Sequence, residues 1–116
     1  MLDEIPQPVA SEKKHTSFSD LIGGDRPVLI DFYADWCGPC KMFAPQLERF
    51  KNEMGNKVRV VKIDIDRNQE LAGKLGVQSI PTVMIFQRGE LKYREAGVRP
   101  LPELKRQVEA LQPQGV

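Results

Sequence analysis

The sequence predicts an α/β domain, a three-layer sandwich with helices on both faces of a central mixed β-sheet. Three observations predict it. Residues 28–33 and 83–86 are nearly unbroken apolar runs, the pattern of strands covered on both faces. The segments between the strand-like runs carry apolar residues at helical spacing. Near the end, Arg88-Gly89 separates two strand-like segments, as a two-residue hairpin turn does. The resulting order, helix–strand–helix–strand–helix–strand–strand–helix, alternates strands with helices and then closes on a hairpin.

Each element has its own signal. Residues 1–14 hold Pro6, Gln7, Pro8 and Ser11 among charges, without apolar periodicity, and read as a flexible lead-in. A helix begins at about Ser17, where Phe18, Leu21 and Ile22 share a face, and Gly23-Gly24 ends it. After the strand at 27–33, Ala34-Asp35-Trp36-Cys37-Gly38-Pro39-Cys40 is a turn opening a second helix. Pro39 suits the first helical turn, where no backbone N–H is needed. Phe43, Leu47, Phe50 and Met54 stripe this helix as far as Gly55, and Pro45 in its interior is expected to kink it. Residues 58–65 form the next strand, and residues 69–75 a short helix closed by Gly76. Ile80-Pro81-Thr82 leads into the second buried strand. Beyond the turn, the alternation of residues 90–96 suits an antiparallel partner, and Gly97 ends it. Residues 101–111 form a closing helix with Leu104, Val108 and Leu111 on one face. The chain divides into a lead-in at 1–16, one domain at 17–112 and a tail at 113–116.

Composition narrows the function. The 116 residues suit one domain, and 41% apolar with 28% charged residues is enough to build a core. Seventeen Lys and Arg against sixteen Asp and Glu leave a net charge of +1, far from the basic excess of a nucleic-acid binder. No apolar run approaches the roughly eighteen residues of a membrane span. The first twenty residues lack the apolar stretch of a signal peptide, so the cytoplasm is the expected compartment. A periplasmic or secreted mature form is the alternative.

Cysteine usage is the most informative count. The chain has two, Cys37 and Cys40, in a single Cys-X-X-Cys. As a structural staple this pair is poorly placed: closing a four-residue loop yields roughly 2 kcal/mol, against about 3 for fifteen residues. At that spacing in a first helical turn the two sulfurs lie close together on one side. They can therefore pass between dithiol and disulfide with little backbone movement. Cys37, nearer the helix start, has free backbone N–H groups and the positive end of the helix dipole beside it, and both favour thiolate. An ordinary thiol is only roughly 3% ionised at pH 7. A partly buried helix terminus supplies on the order of 1 kcal/mol toward changing that. Cys40, a turn deeper, is the natural resolving thiol, attacking the mixed disulfide that Cys37 forms. A structural zinc site wants four ligands, and His15, in the lead-in, is the only histidine. A metal centre would therefore have to be shared between chains, and His15 reads as solvated.

Three further residues stand out. Asp31 interrupts an apolar strand; buried there its carboxyl is disfavoured as an anion, and behind the second cysteine it is a competent base for Cys40. The alternatives are a charge pointing at water from a strand edge, or simple pairing with Lys62 on the next strand. Trp36 is either plain core or the flank of a partner's docking surface. Pro81, on the residues alone, follows a trans bond, since cis is only about 5–6% of X–Pro bonds.

Trp36-Cys37-Gly38-Pro39-Cys40-Lys41, preceded by Asp31-Phe32-Tyr33-Ala34 and followed some forty residues later by Ile80-Pro81-Thr82, resembles the thioredoxin family, from about Phe18 to Leu111. The resemblance implies a thioredoxin-like sandwich and a cis peptide before Pro81 opposite the cysteine pair. It also implies that Asp31 is the base for Cys40, with Lys62 as the buried partner that tunes it. Trp36, Gly38, Pro39, Ile65, Ile80, Pro81, Gly97 and Val98 should form an apolar docking face around Cys37. Gly-Pro between the cysteines resembles the reducing members. The implied activity is reduction of disulfides in partner proteins by a monomer that carries no cofactor, with recharging by a separate NADPH- and flavin-dependent thioredoxin reductase. No Gly-rich nucleotide loop is present in the chain.

Rival readings are a disulfide oxidase or isomerase in an oxidising compartment, and a non-catalytic binding module using the docking face alone. The sequence departs from the family at two places. The usual first edge strand has only Lys13-Lys14-His15-Thr16 as a candidate, so that strand is expected to be short, distorted or missing. After Gly97 comes Val98-Arg99-Pro100, where many members carry small residues, and Arg99 stands where it could alter partner choice.

Overall fold

The apolar run that interrupts itself with Asp31 becomes the central strand of the sheet. In the computed structural model, which describes residues 3–4 and 17–112, the elements are β1 (Asp3–Glu4), α1 (Phe18–Ile22), β2 (Val28–Tyr33), α2 (Gly38–Met54), β3 (Arg59–Asp64), α3 (Gln69–Lys74), β4 (Thr82–Gln87), β5 (Glu90–Ala96) and α4 (Leu101–Glu109). One 3-10 turn, Gly55–Lys57, follows α2. The strands form one mixed sheet in the order β1-β3-β2-β4-β5. β1 and β2 run parallel to β3, while β4 is antiparallel to both β2 and β5.

Strand alternation sorts the core into two layers. Leu29, Val60, Val83 and Ile85 face α2 and α4, packing with Phe43, Leu47, Phe50, Leu104 and Val108. Val28, Ile30, Phe32, Val61, Ile63, Met84 and Phe86 face the other way, against α1 and the apolar residues of α3, with Leu21, Ile22, Leu71 and Leu75. The predicted three-layer sandwich is therefore the observed one.

Local chemistry explains the element ends. Ser17 caps α1, its hydroxyl accepting from the Asp20 N–H at 3.0 Å. The Arg88-Gly89 turn takes positive φ at both residues (52° and 81°), the geometry of a tight hairpin between twisted strands. It is held from outside, since Arg88 N–H and Gly89 N–H donate to the carbonyls of Gly24 and Ile22. The C-terminus of α3 is capped across the fold: Arg94 of β5 donates to the carbonyls of Leu75 and Gly76, at 2.5 and 2.8 Å. α4 ends two residues short of the expected Leu111. Buried Gln87 there donates to the carbonyls of Asp25 and Leu111, tying the helix end to the sheet.

The first edge strand is short, as expected, but it lies elsewhere than the candidate segment. The pairing edge strand is Asp3–Glu4, opposite Val61 and Lys62, within the segment read as an unstructured lead-in. The candidate Lys13-Lys14-His15-Thr16 lies outside the described residues, as does the tail at 113–116. A two-residue pairing uses only backbone N–H and C=O groups on the exposed edge of β3, so it leaves no apolar period to read. Among the described residues no helix is long and apolar enough to cross a membrane.

Phe50, fully buried between α2 and the sheet, tests this packing. Phe50→Ala is expected to lower the unfolding free energy by about 3–5 kcal/mol in guanidinium titrations. A loss below about 1 kcal/mol would show that the α2 stripe does not carry the core.

Candidate active site

Three segments converge at the C-terminal end of β2. The first is the strand itself. Leu29 packs toward α2 while Val28, Ile30 and Phe32 pack toward α1, so alternation turns Asp31 to the α2 face. The second is the turn out of the strand. Cys37 N–H donates to the Ala34 carbonyl at 3.1 Å, and Cys37 then becomes the N-cap of α2 in extended conformation (φ −87°, ψ 112°). Its Sγ accepts the Cys40 N–H at 3.1 Å, doing with sulfur what a Ser or Asp oxygen does at other helix starts. Cys37 and Cys40 are joined as a disulfide, with Cα atoms 5.3 Å apart. Proline follows at the start of the helix, as expected.

The third segment is the loop before β4. The Ile80–Pro81 peptide bond is cis, as the resemblance implied and base rates alone did not. It brings the Ile80 carbonyl oxygen to 3.8 Å from Cys37 Sγ. Two bonds hold this loop. Thr82 Oγ1 donates to the Ser79 carbonyl at 2.6 Å, and Gly97 N–H donates to the Pro81 carbonyl at 2.7 Å. Gly97 sits at φ +90°, a conformation that side chains disfavour.

Asp31 is completely buried, and neither carboxylate oxygen is hydrogen-bonded to another residue. Burial pushes its pKa up to about 7, and the positive charge of Lys62 opposes part of that rise. A charge pointing at water from a strand edge is thereby excluded. Simple pairing is excluded too. Lys62 lies directly opposite Asp31 in the parallel register, but its ammonium sits over the Tyr33 ring, 4.3 Å from the centroid. Lys62 therefore acts on Asp31 through space. A cavity of about 210 Å3 opens beside Cys40 and Lys62, bordered by Asp35 and Lys41.

The other expected site residues differ in depth. Trp36 is 69% exposed, which rules out a core role, and its indole Nε1 donates to Asp66 Oδ2 at 2.8 Å. Gly38, Pro39 and Val98 are exposed; Ile65, Ile80 and Gly97 are half-buried; Pro81 is buried. Ile65 and Ile80 pack on Ala34, Cys37 and Cys40. The two cysteines are equally buried at 4% exposure, so what distinguishes them is the helix cap and not openness. Two neighbours went unread in the sequence. Asp66 orients the Trp36 ring, and Met42, two residues after Cys40, is 73% exposed. A Met on a helix reads as core unless the packed face is known. Among the described residues, no group of three or more His, Cys, Asp and Glu is placed to hold a metal ion.

Comparison with known proteins gives a consistent result. The family model described as Thioredoxin matches residues 9–110. A thioredoxin of Bacillus subtilis (strain 168) is 54% identical over 78 residues, which is 67% of this chain and 75% of the relative. A bifunctional thioredoxin reductase/thioredoxin of Mycobacterium leprae (strain TN) is 43% identical over 96 residues, covering 83% of this chain and 21% of the relative. The crystal structure of Malassezia sympodialis thioredoxin superposes with a TM-score of 0.73 at 33% identity, over 82% of this chain and 86% of that one.

The buried carboxyl makes stability depend on pH in a stated direction. The pKa of Asp31 rises from 3.8 to about 7 on folding, so the folded chain keeps a proton that the unfolded chain releases between those values. Stability attributable to Asp31 should therefore be present below about pH 4 and fall as pH rises to about 7, by on the order of 4 kcal/mol. Asp31→Asn should flatten that slope and stabilise the protein at pH 8, as read from denaturation midpoints across pH. An unchanged slope would mean the carboxyl ionises freely in the fold.

Proposed function

This chain belongs to the thioredoxin family and is a protein thiol–disulfide oxidoreductase, and from that premise we propose how its residues share the reaction. The reduced Cys37 thiolate attacks one sulfur of a partner's disulfide, forming a mixed disulfide and expelling the partner's first thiolate. Asp31 takes the proton from the Cys40 thiol. The Cys40 thiolate then attacks Cys37 Sγ, closing the Cys37–Cys40 disulfide and expelling the partner's second thiolate. Two electrons pass to the partner, and the form described above is the oxidised product.

The helix cap at Cys37 carries this reading. The Cys40 N–H that meets Cys37 Sγ at 3.1 Å is a donor already in place for a thiolate, and such bonds strengthen when the acceptor is charged. Asp31 supports the second step, since a carboxyl with pKa of about 7 takes and returns protons near neutral pH. Lys62 tunes it from across the strand pair. Trp36, Gly38, Pro39, Ile65, Ile80, Pro81, Gly97 and Val98 form the face on which the partner docks, with the Ile80 backbone paired to the bound peptide. Pairing by backbone groups suits many partner sequences.

Regeneration returns two electrons to the disulfide, and we assign that step to a separate thioredoxin reductase that uses NADPH and flavin. The Mycobacterium leprae relative, whose name joins the two activities, supports this partner. We infer that the chain acts in the cytoplasm, where thiol pools keep the pair reduced, and that it does so as a monomer.

Reduction of insulin by the reduced chain tests the assignment. Cys37→Ser should bring the rate down to that of the uncatalysed reaction. Cys40→Ser should accumulate the mixed disulfide, visible by mass spectrometry. Asp31→Asn should slow turnover at pH 7 by on the order of a hundredfold, the lower end of what a general base supplies. An unimpaired Cys37→Ser chain would overturn the scheme.

A further inference from the structure

Away from the disulfide, three segments of the chain meet on a single carboxylate. Glu103, in the first turn of α4, receives the Arg99 guanidinium as a fork, Nη2 to Oε1 at 2.9 Å and Nε to Oε2 at 3.2 Å. The Tyr93 hydroxyl, from β5, donates to the same Oε2. Arg99 also points Nη1 at the carbonyl of Ala96, the last residue of β5, at 3.5 Å. Both carboxylate oxygens are thus occupied, and the donors hold Glu103 below the ordinary carboxylate range, Arg99 most of all. The ion pair is more sheltered than a usual surface pair, with side chains 30% and 22% exposed. A planar fork on a carboxylate also fixes orientation in a way a point charge does not.

What this cluster brackets is the connection at residues 97–100. Its first residue, Gly97, donates to the Pro81 carbonyl at 2.7 Å, and the Ile80 carbonyl next to it is 3.8 Å from Cys37 Sγ. Val98, which follows, is exposed. We infer that Glu103 is a positioning residue for partner docking: through Arg99 and Tyr93 it holds the 97–100 connection so that Gly97 and Val98 keep their place beside Ile80 and Pro81. Arg99 is accordingly a brace within the fold and not a free cation offered to partners. This rests on the reading of Gly97 and Val98 as part of the docking face.

The test compares a protein disulfide with a small one, using the full chain. Glu103→Gln and Arg99→Met should each raise the KM for insulin roughly fivefold with kcat within about twofold, and the double variant should be no worse than either alone, because the two side chains act as one unit. The rate with dithiobis(nitrobenzoate), which needs no extended docking, should stay within about twofold of the parent and doubles as a check on folding. An unchanged KM for insulin in Glu103→Gln overturns the inference. A parallel fall with both disulfides also overturns it, since the effect would then run through the sulfur chemistry or the fold. Val98→Asp separates the inference from its premise. If Val98→Asp raises the KM and Glu103→Gln does not, only the inference fails; if neither raises it, the docking face itself is misplaced.

Discussion

The seat of α2 on the sheet is the constraint on which the rest depends. Phe43, Leu47 and Phe50 are fully buried against Leu29, Val60, Val83 and Ile85, so the helix cannot slide or roll without opening the core. Its first turn is thereby set at the end of β2, and the N-terminal N–H groups are pointed at one place. Cys37 occupies that place as the cap. A reactive sulfur needs this kind of support: the donor that stabilises its charge must already be there, because reorganising a loop to supply one would consume the gain.

The same packing leaves a carboxyl unsatisfied in the interior. Asp31 follows the strand period onto the α2 face and arrives in the core with no hydrogen-bond partner for its carboxylate. Lys62 is opposite in register, yet its ammonium lies on the Tyr33 ring. The charge is close enough to moderate the carboxyl without neutralising it. A direct ion pair would hold the carboxylate ionised and leave it a poor proton acceptor; an apolar neighbour would hold it protonated. The intermediate arrangement leaves a carboxyl that titrates near pH 7, at the expense of stability.

On the opposite side of the sulfur pair, geometry is kept by backbone bonds. The cis Ile80–Pro81 loop, tied through Pro81 to Gly97, sets a carbonyl beside Cys37. Gly97 in turn belongs to a connection that is braced at its other end by Arg99 and Glu103. The disulfide and the 97–100 connection therefore rest on different supports, the first on α2 and the second on the β5–α4 corner.

Much of this was legible in the residues. Unbroken apolar runs located the strands at 28–33 and 83–86, and apolar stripes located the first, second and last helices, because both are properties of a few consecutive residues. The Cys-Gly-Pro-Cys turn announced its own chemistry, since helix-start position and sulfur spacing are both local. The two-residue β1 was not legible, being made of backbone bonds that any side chains permit. Nor was the exposure of Met42 and Trp36, or the partner each polar group would find: Asp66 for the indole, Glu103 for Arg99, the Leu75 and Gly76 carbonyls for Arg94. By itself the sequence determined which segments fold as helix or strand and which two atoms react. Only the tertiary structure decided how deeply Asp31 is buried, where Lys62 rests and which side chains tie β5 to α4. Those depend on strand register and on which helix covers which face, and such contacts join residues far apart in the chain whose pairing no local pattern encodes.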